Sequence, residues 1–254
     1  MATVSWLATS LVDARRALGA AANRVIDLAL PASCAGCGQE GPPLCRECRT
    51  ALDIRLGAEP GVPIGLPADI PAPLLQLEWC APFTGVTRRA LHALKYDGER
   101  RLAPMLGAAV ARRWARAGAA GEALVPVPAS PDRVRERGYD QAALIAKEAA
   151  RHLDLPVVHA LERTRATTAQ FDLDRSTRAT NVVDAFRVGG NAARGPEGGP
   201  ERGLRPGAGT DVRDQWLVLV DDVVTTGATL AACATALLEA GAIAVSAIAV
   251  ARER

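Results

Sequence analysis

The stretch "WLVLVDDVVTTGATL", residues 216–230, decides the fold and raises the question of function. Five apolar residues, typical of a buried strand at 216–220, lead directly into Asp221 and Asp222. A helix is predicted from about residue 228 to 240, with Gly241 at its end. Because ligands of an open α/β sheet bind at the carboxyl ends of the strands, we expect the two acids at a binding edge.

The segment between the acids and the helix is small and rich in hydroxyl groups, residues 225–229. Its backbone N–H groups can approach an anion closely, and the helix start adds a positive dipole end. Acids beside such a phosphate cradle must face something else, and sugar hydroxyls and Mg²⁺ are the two candidates. A phosphorylated ribose satisfies both halves of the pattern. Helix capping alone is less favoured, since one acid near the helix start would suffice for it. Neither a Walker A loop nor a G-x-G-x-x-G fingerprint is present.

Composition gives the broad class of the protein. The chain has 254 residues, 49% of them hydrophobic, which is enough for one large α/β domain and a small appendage. A net charge of +2 does not by itself indicate a nucleic-acid partner. No apolar run reaches about 18 residues, so we expect no membrane span. Arg15, Arg16 and Arg24 interrupt the N-terminal apolar stretch and argue against a secretory signal, which predicts a cytoplasmic protein.

Helical and strand patterns alternate along the rest of the chain, which predicts an α/β fold with a mostly parallel sheet flanked by helices. The predicted helices cover 8–29, 86–98, 103–117, 140–153 and 228–240. The predicted strands cover 77–83, 123–128, 157–161, 181–188, 216–220 and part of 242–253. We divide the chain into an N-terminal helix with a small cysteine-rich unit at 1–55, a linker rich in proline and glycine at 56–76, and the α/β domain at 77–254. Residues 189–213 are predicted to form a mobile loop.

Four cysteines with the spacing C-x2-C-x7-C-x2-C predict a metal site; they are Cys34, Cys37, Cys45 and Cys48. Two C-x2-C knuckles can close a tetrahedral set of four thiolates, which suits structural Zn²⁺. Disulfides, which are rare in the cytoplasm, and an iron–sulfur cluster are the alternatives. Four protein ligands leave no open position, so the metal is expected to stabilise the fold and not to catalyse. Cys80 and Cys233 lie outside the pattern and are expected to be buried and inert.

The order strand, Asp-Asp, two apolar residues and T-T-G-A-T resembles the motif with which type I phosphoribosyltransferases bind 5-phosphoribosyl 1-diphosphate (PRPP). Further stretches resemble the ComF/GntX family of competence-associated, phosphoribosyltransferase-like proteins over about residues 25–254. They are "ALHALKYDGE" (90–99), "RERGYDQAALIAKE" (135–148), "RTRATTAQFDLDRSTRATNVVDAF" (163–186) and the four-cysteine cluster.

This resemblance implies a type I phosphoribosyltransferase-like sheet and a role for each matching residue. Asp221 and Asp222 would hold the ribose hydroxyls, and the diphosphate would meet the loop "PVPASPDR", with Ala129 and Ser130 at its tip. Mg²⁺ would bridge diphosphate and ribose oxygens. The 5-phosphate would be held by Thr225, Thr226, Gly227, Ala228 and Thr229. The candidate catalytic residues are Asp221, Asp222, Arg163 and Gln170.

A hood over the sugar is implied for residues 163–181, where guanidinium groups could neutralise a leaving diphosphate. The residues that match the family there are Arg163, Arg165, Gln170, Arg178 and Asn181. The alternative is a solvated basic loop. Asp140 stands where the family commonly has Asn. The neighbouring Arg133, Arg135 and Arg137 suit either phosphate and partner contacts or a solvated surface.

Two functions of different classes follow from the sequence. One is a Mg²⁺-dependent phosphoribosyltransferase with an unknown acceptor. The other is a non-enzymatic scaffold that keeps the PRPP fold and contacts single-stranded DNA or a protein of the competence machinery during DNA uptake. A basic patch interleaved with aromatic residues, typical of DNA binding, is not evident in the sequence. A zinc-dependent transcription factor is less favoured, because it would leave the α/β body without a role. A homodimer is implied by the resemblance to type I enzymes.

Overall fold

A computed structural model describes residues 33–60, 71–118, 120–164, 185–189 and 211–253. The helices are α1 (Arg46–Arg49), α2 (Gly85–Tyr96), α3 (Ala103–Ala117), α4 (Pro131–Arg137), α5 (Gln141–Leu153) and α6 (Ala228–Glu239). The strands are β1 (Leu77–Pro82), β2 (Ala123–Pro126), β3 (Leu161–Arg163), β4 (Phe186–Val188), β5 (Trp216–Val224) and β6 (Ala244–Arg252). Short 3₁₀ turns cover Thr50–Asp53 and Arg100–Leu102. The predicted helix at 8–29 and most of the predicted loop at 189–213 lie outside the described residues.

Four parallel strands form the central sheet in the order β1-β6-β5-β2, and β3 and β4 form a separate antiparallel pair. On one face, Val218 and Val220 of β5 pack into a core built mainly from α2, α3 and α5. On the other face, Leu217 and Leu219 pack into a core with α6, β3 and β4. The expected parallel sheet flanked by helices is therefore confirmed.

The structure corrects the predicted bounds of three elements. Strand β5 does not end at residue 220: pairing with β6 continues past the acids, so the strand runs to Val224. The loop predicted around residues 129–133 is shorter, because Pro131 starts helix α4, where its fixed φ suits the first turn. The strand predicted at 157–161 is a single bridge between Leu124 and Val157, and the paired strand β3 begins only at residue 161.

The segment before β1 packs against the α/β body. Leu44 and Leu52 are fully buried in the same core as α2 and α3. Buried Arg113 of α3 donates to the Glu78 carboxylate at 2.6 Å and to the Ala58 carbonyl at 2.7 Å. A buried guanidinium needs such partners, because an unpaired charge would cost several kcal/mol. Residues 33–60 are therefore held by apolar packing, by hydrogen bonds from buried Arg113 to their carbonyls and by the ion pair between Arg55 and Glu78 at 3.7 Å.

Candidate functional site

The two acids of β5 leave the strand on opposite faces of the sheet. Asp222 shares its side with Val218 and Val220, whereas Asp221 shares its side with Leu217 and Leu219. On the β2 side the ladder ends where Pro126 meets Val220, so both acids project beyond that neighbouring strand. The adjacent acids therefore have different surroundings, which their position side by side in the sequence does not reveal.

Asp222 is buried and pairs with a lysine from α2. Lys95 Nζ lies 2.7 Å from Asp222 Oδ2, and the two side chains are 18% and 7% exposed. The ammonium is not aligned for a hydrogen bond, and within the described residues Oδ2 accepts none. The charge of this carboxylate is therefore balanced by an ion pair, which a buried charge requires.

Asp221 is half-buried and faces α6 and β3. Burial raises the pKa of its carboxyl group well above the ordinary value, and the charge of Asp222 raises it further, while Lys95 acts in the opposite direction. Arg163, the last residue of β3, lies near enough for Asp221 to raise the pKa of its guanidinium, although burial lowers that pKa overall. Cys233 of α6 is fully buried, and Asp221 adds to the effect of burial in raising the pKa of its thiol.

The turn after β5 leads straight into the first turn of α6. Thr225 and Thr226 are exposed, and Thr226 Oγ1 accepts the Ala228 N–H at 3.3 Å. Gly227 has φ +82° and lies so close to Pro71 that a Cβ would meet its Cγ at 2.6 Å. The N-cap of α6 is Gly227, which offers no side-chain cap, so apart from the bond between Ala228 and Thr226 the positive helix end, which includes half-buried Thr229, is available to an anion. The acids together with this turn, residues 221–229, form the acid-and-turn site.

The loop between β2 and α4 is tied to α5 by Asp140. Asp140 Oδ2 accepts the Ala129 N–H at 2.7 Å, while Oδ1 caps α5 by accepting the Ala143 N–H at 3.1 Å. Ser130 is half-buried, and its carbonyl accepts the Val134 N–H of α4. One backbone donor at the tip of this loop is thus already occupied by a carboxylate, which explains what an acid does at position 140.

The four cysteine sulfurs lie within 4.8 Å of one another, and Cys37 Sγ and Cys45 Sγ are 3.9 Å apart. A tetrahedral zinc site with Zn–S bonds of about 2.3 Å has sulfur–sulfur distances of about 3.8 Å, so the cluster is compatible with Zn²⁺. Gly36 is required for this closeness, because a Cβ there would meet Cys48 Sγ at 2.5 Å. We call residues 34–48 the four-cysteine unit.

Backbone donors favour thiolate at Cys34. Its Sγ accepts the N–H groups of Gly36 and Cys45, each at 3.3 Å. Burial alone would raise the pKa of Cys34, but these hydrogen bonds outweigh it and bring the pKa to about 6. Burial and the neighbouring thiols raise the pKa of Cys48 to about 12. The four thiols therefore do not all ionise without a metal. A divalent cation that binds them would displace their protons.

The structure brings together most of the site residues predicted from the sequence. Asp221, Asp222, the 225–229 turn and Arg163 converge at one edge of the sheet, and the four cysteines converge at another place. Gln170 and the hood residues at 165, 178 and 181 lie outside the described residues. No role is assigned to Lys95 from the sequence, although this residue lies inside the quoted stretch "ALHALKYDGE". The one feature of the sequence that distinguishes it is its rarity, since the chain has two lysines and 28 arginines.

No family model matches the chain. It is similar to Competence protein F of Haemophilus influenzae, with 32% identity over 110 residues, which is 43% of this chain and 41% of that protein. It is 27% identical over 215 residues to the DNA utilization protein YhgH of Salmonella typhimurium, covering 82% of this chain and 84% of that protein. With Competence protein ComFC of Bacillus subtilis it shares 32% identity over 118 residues, 46% of this chain and 39% of that protein. The first and last matches thus span less than half of those proteins. The expected likeness to competence-associated proteins is confirmed.

Among solved structures, the chain is similar to a glutamine PRPP amidotransferase from B. subtilis complexed with ADP and GMP, with a TM-score of 0.34 and 19% identity. The match covers 60% of this chain and 26% of that one. A structure of the allosteric regulatory enzyme of purine biosynthesis matches with a TM-score of 0.33 and 19% identity, over 60% of this chain and 25% of that one. Similarity of this size fixes neither ligand nor activity. In the described part of the chain, no helix is long and apolar enough to cross a membrane.

Proposed function

We propose that the chain binds PRPP at the acid-and-turn site and transfers its phosphoribosyl group, with Mg²⁺, to or from an acceptor. The observation that carries this proposal is the uncapped start of α6, directly after two acids at the carboxyl edge of a parallel sheet. An anion suits the positive helix end, and hydroxyl groups suit the acids. PRPP carries a phosphate group and ribose hydroxyl groups in one molecule.

The 5-phosphate would lie against the backbone N–H groups of the turn. Residues Thr225 and Thr226 are exposed and can donate their hydroxyls as well. Gly227, with its positive φ, lets the backbone turn tightly between strand and helix. The phosphate subsite therefore depends on backbone geometry more than on charged side chains.

The ribose hydroxyls would be held by the acids. Asp221 is the more accessible of the two, and its carboxylate can accept hydrogen bonds from vicinal hydroxyls. Asp222 is more deeply buried beside Lys95 and would support the site from behind the strand. The two acids thus have unequal parts in the proposed clamp.

The diphosphate would extend toward the 127–130 loop, with Ala129 and Ser130 at its tip. Arg163 faces the same edge from β3 and is a partly desolvated cation, which strengthens its attraction for a leaving anion. Mg²⁺ bound together with PRPP would supply further charge neutralisation. Asp140, which already accepts the Ala129 N–H, would limit how closely an anion approaches that loop.

In the transfer step, the bond between ribose C1 and the diphosphate oxygen breaks, and a bond forms from the acceptor nucleophile to C1. The sugar passes through an oxocarbenium-like state, so the chain must hold the ring, neutralise the departing diphosphate and exclude water. Arg163 would stabilise the leaving group, and Asp221 would hold the hydroxyls that orient the ring. No strong base is needed on the sugar side, in keeping with a site built from carboxylates and backbone donors.

Calorimetry with Mg²⁺ and PRPP tests the proposal. The wild type is expected to bind, and the double variant Asp221→Asn, Asp222→Asn is expected to bind at least about a hundredfold more weakly, because the charged acceptor and the buried carboxylate that supports it are both lost. Equal affinity in the double variant would remove the acids from the clamp. Absence of binding by the wild type would contradict the proposed function and favour a scaffold.

A scaffold that contacts single-stranded DNA is the second candidate. Relatives of the chain are called competence and DNA utilization proteins. Near the end of α2, Tyr96 is 62% exposed, His92 lies 4.6 Å from its ring, and the Arg137 guanidinium lies 5.0 Å above it. An exposed ring flanked by basic groups can stack on a base. Fluorescence anisotropy with labelled oligothymidine should then show binding that Tyr96→Ala weakens by about 1–3 kcal/mol. A wild type that does not bind the oligonucleotide would contradict this candidate.

A further inference from the structure

We propose that Lys95 is a positioning residue for the sugar subsite: paired with Asp222 behind β5, it keeps the neighbouring Asp221 able to accept hydroxyl hydrogen bonds at neutral pH. This inference rests on the proposed function and assigns a role to a residue that does not itself belong to the acid-and-turn site. Its basis is the ion pair of 2.7 Å between a lysine 18% exposed and a carboxylate 7% exposed.

The ion pair with Lys95 balances the buried charge of Asp222. Within the described residues, no group donates an aligned hydrogen bond to Asp222 Oδ2. A buried carboxylate without a partner would take up a proton or cost several kcal/mol. The ammonium comes from the last turn of α2, a helix anchored in the core by Leu91 and Leu94. The packing of this helix therefore fixes the backbone position of Lys95 beside Asp222.

Charged and titratable groups of four neighbouring elements lie close enough to the two acids to interact with them. Asp140 at the start of α5 adds a third negative charge, which acts on both Asp221 and Asp222. On the opposite face, Arg163 of β3 and Cys233 of α6 sense the charge of Asp221. Lys95, which pairs with Asp222, acts against the repulsion between the carboxylates. Its removal would leave the repulsion that Asp222 and Asp140 exert on Asp221 without this opposing charge.

Protonation matters because the two forms of a carboxyl group offer different hydrogen bonds. A carboxylate is an acceptor at both oxygens, whereas a protonated carboxyl group donates from one of them. A vicinal diol that donates to Asp221 therefore requires the ionised form. When two acids are close, one of them holds its proton to higher pH, and the pair titrates in two steps. By its charge, Lys95 lowers the pKa of Asp221 and so acts against this effect.

The choice of lysine is informative in this arginine-rich chain, where only two of the 30 cationic residues are lysine. An arginine presents a wide planar fork that matches both oxygens of a carboxylate. A lysine presents a compact charge on a flexible stem, which fits beside one buried oxygen. The contact with a single carboxylate oxygen of Asp222 has that form.

The test is the pH profile of Mg²⁺–PRPP affinity, measured by calorimetry on the full chain from about pH 6 to pH 9, the range in which a raised carboxyl pKa appears. Lys95→Met should bind about tenfold or more weakly than wild type at pH 7, with the deficit closing as the pH rises, because losing a nearby opposite charge moves a carboxyl pKa by at least about one unit. Because the phosphate groups of PRPP also titrate, the ratio of variant to wild-type affinity is the quantity compared.

Two variants serve as controls. Lys95→Arg retains the charge and should keep the wild-type midpoint of the pH profile, even if its affinity is lower at every pH. Lys147→Met removes the other lysine of the chain, on α5, and should match the wild type throughout. Should Lys95→Met fail to fold by circular dichroism, Lys95→Gln, which is neutral but keeps a polar head, takes its place.

The outcomes separate this inference from the proposed function. Absence of Mg²⁺–PRPP binding by the wild type would overturn both. Binding by the wild type, with a Lys95→Met profile that overlays it or is reduced by the same factor at every pH, would overturn the role of Lys95 alone. A deficit that closes with rising pH in Lys95→Met, and a wild-type midpoint in Lys95→Arg, would support it.

Discussion

The four-cysteine unit and the acid-and-turn site both contact helix α2, but they differ in where their parts come from. The unit takes all four of its sulfurs from residues 34–48, a single local segment. The acid-and-turn site has a local part on β5 and α6, but its surroundings come from α2, α5 and β3. Arg89 of α2 donates to the Gly36 carbonyl in the unit, and Lys95 of the same helix pairs with Asp222.

The acid-and-turn site therefore depends on the rest of the fold more than the four-cysteine unit does. A local ligand set can be recognised by spacing, because the geometry of two C-x2-C knuckles is nearly fixed by the chain itself. A site assembled from several elements has its charge state set by residues far away in the sequence. Variants that change one of the two sites therefore show how strongly the other depends on it.

Loss of the metal-binding set should have the largest effect. Cys34→Ser, or a strong chelator added to the wild type, is expected to abolish zinc binding and to lower the free energy of unfolding by more than about 5 kcal/mol. The loss should extend beyond the unit, because buried Leu44 and Leu52 share a core with α2 and α3. Elemental analysis and thermal unfolding measure the two quantities.

Cys80→Ala is the matched control for that experiment. Cys80 is a fully buried thiol outside the cluster, and burial raises its pKa to about 12, as expected for an inert cysteine. This variant should keep its full zinc content. Undiminished zinc in Cys34→Ser would remove the cysteines from the site, and a chelator that leaves the melting temperature unchanged would contradict a structural metal.

Gly227→Ala should have the next largest effect. An alanine at φ +82° costs about 1–2 kcal/mol, and its Cβ would meet Pro71 Cγ at 2.6 Å, which adds about 1–3 kcal/mol of overpacking. Gly118→Ala provides the control, since φ is +63° there but nothing lies within 4 Å of an added Cβ. Gly227→Ala should lose more stability than Gly118→Ala in urea unfolding, and also Mg²⁺–PRPP affinity, while its zinc content is unchanged. Equal losses in the two variants would show that the contact with Pro71 is unimportant.

The sequence predicts the local features of this molecule well. Helix α3 at 103–117 and the start of α6 at 228 agree with the predicted bounds, because their apolar periodicity and glycine stops are local signals. The close approach of the four sulfurs also agrees with the spacing. Cys80 and Cys233 are buried, as their position outside the cluster predicts.

What the sequence does not predict depends on partners distant in the chain. Strand β5 runs four residues longer than its apolar stretch, because β6 pairs with it past the acids. That extension places Asp221 and Asp222 on opposite faces, with different neighbours. Lys95 precedes Asp222 by more than a hundred residues, so no spacing rule links the two. The sequence predicts a loop at the start of helix α4, because only the first residue of this helix, Pro131, carries a clear helix signal.

Arg89→Met should have a moderate effect that sharpens the role of α2. The guanidinium of Arg89 donates to the Gly36 carbonyl from Nε at 2.9 Å and from Nη2 at 2.6 Å. Loss of these bonds should cost about 1–2 kcal/mol and speed zinc release to a chelator, because Gly36 lies within the first knuckle. Arg88→Met is the neighbouring control, since Arg88 lies 6.0 Å from the Phe83 ring and should contribute less than about 0.5 kcal/mol. Identical zinc release in both variants would separate α2 from the unit.

Asp140→Asn should have the smallest effect on stability at neutral pH. Asparagine can keep the cap on α5 with its one acceptor oxygen, but the bond from the Ala129 N–H to the second oxygen is lost. The substitution also removes a half-buried negative charge that interacts with Asp222. Because these contributions have opposite signs, the net change should be less than about 1 kcal/mol.

The pH dependence of this difference separates the two contributions. Burial raises the pKa of Asp140 in the folded protein, backbone hydrogen bonds from Ala129 and Ala143 lower it in part, and Asp222 raises it further, so that the pKa stays above the ordinary value of 3.8. The stabilisation by neutral Asp140 is therefore fully present below pH 3.8 and is lost as the pH rises through the raised pKa of the folded state. Relative to Asp140→Asn, the wild type should gain stability as the pH falls through this range. Urea unfolding of both proteins at a series of pH values measures the difference, and a constant difference would mean that the charge on Asp140 costs the fold nothing.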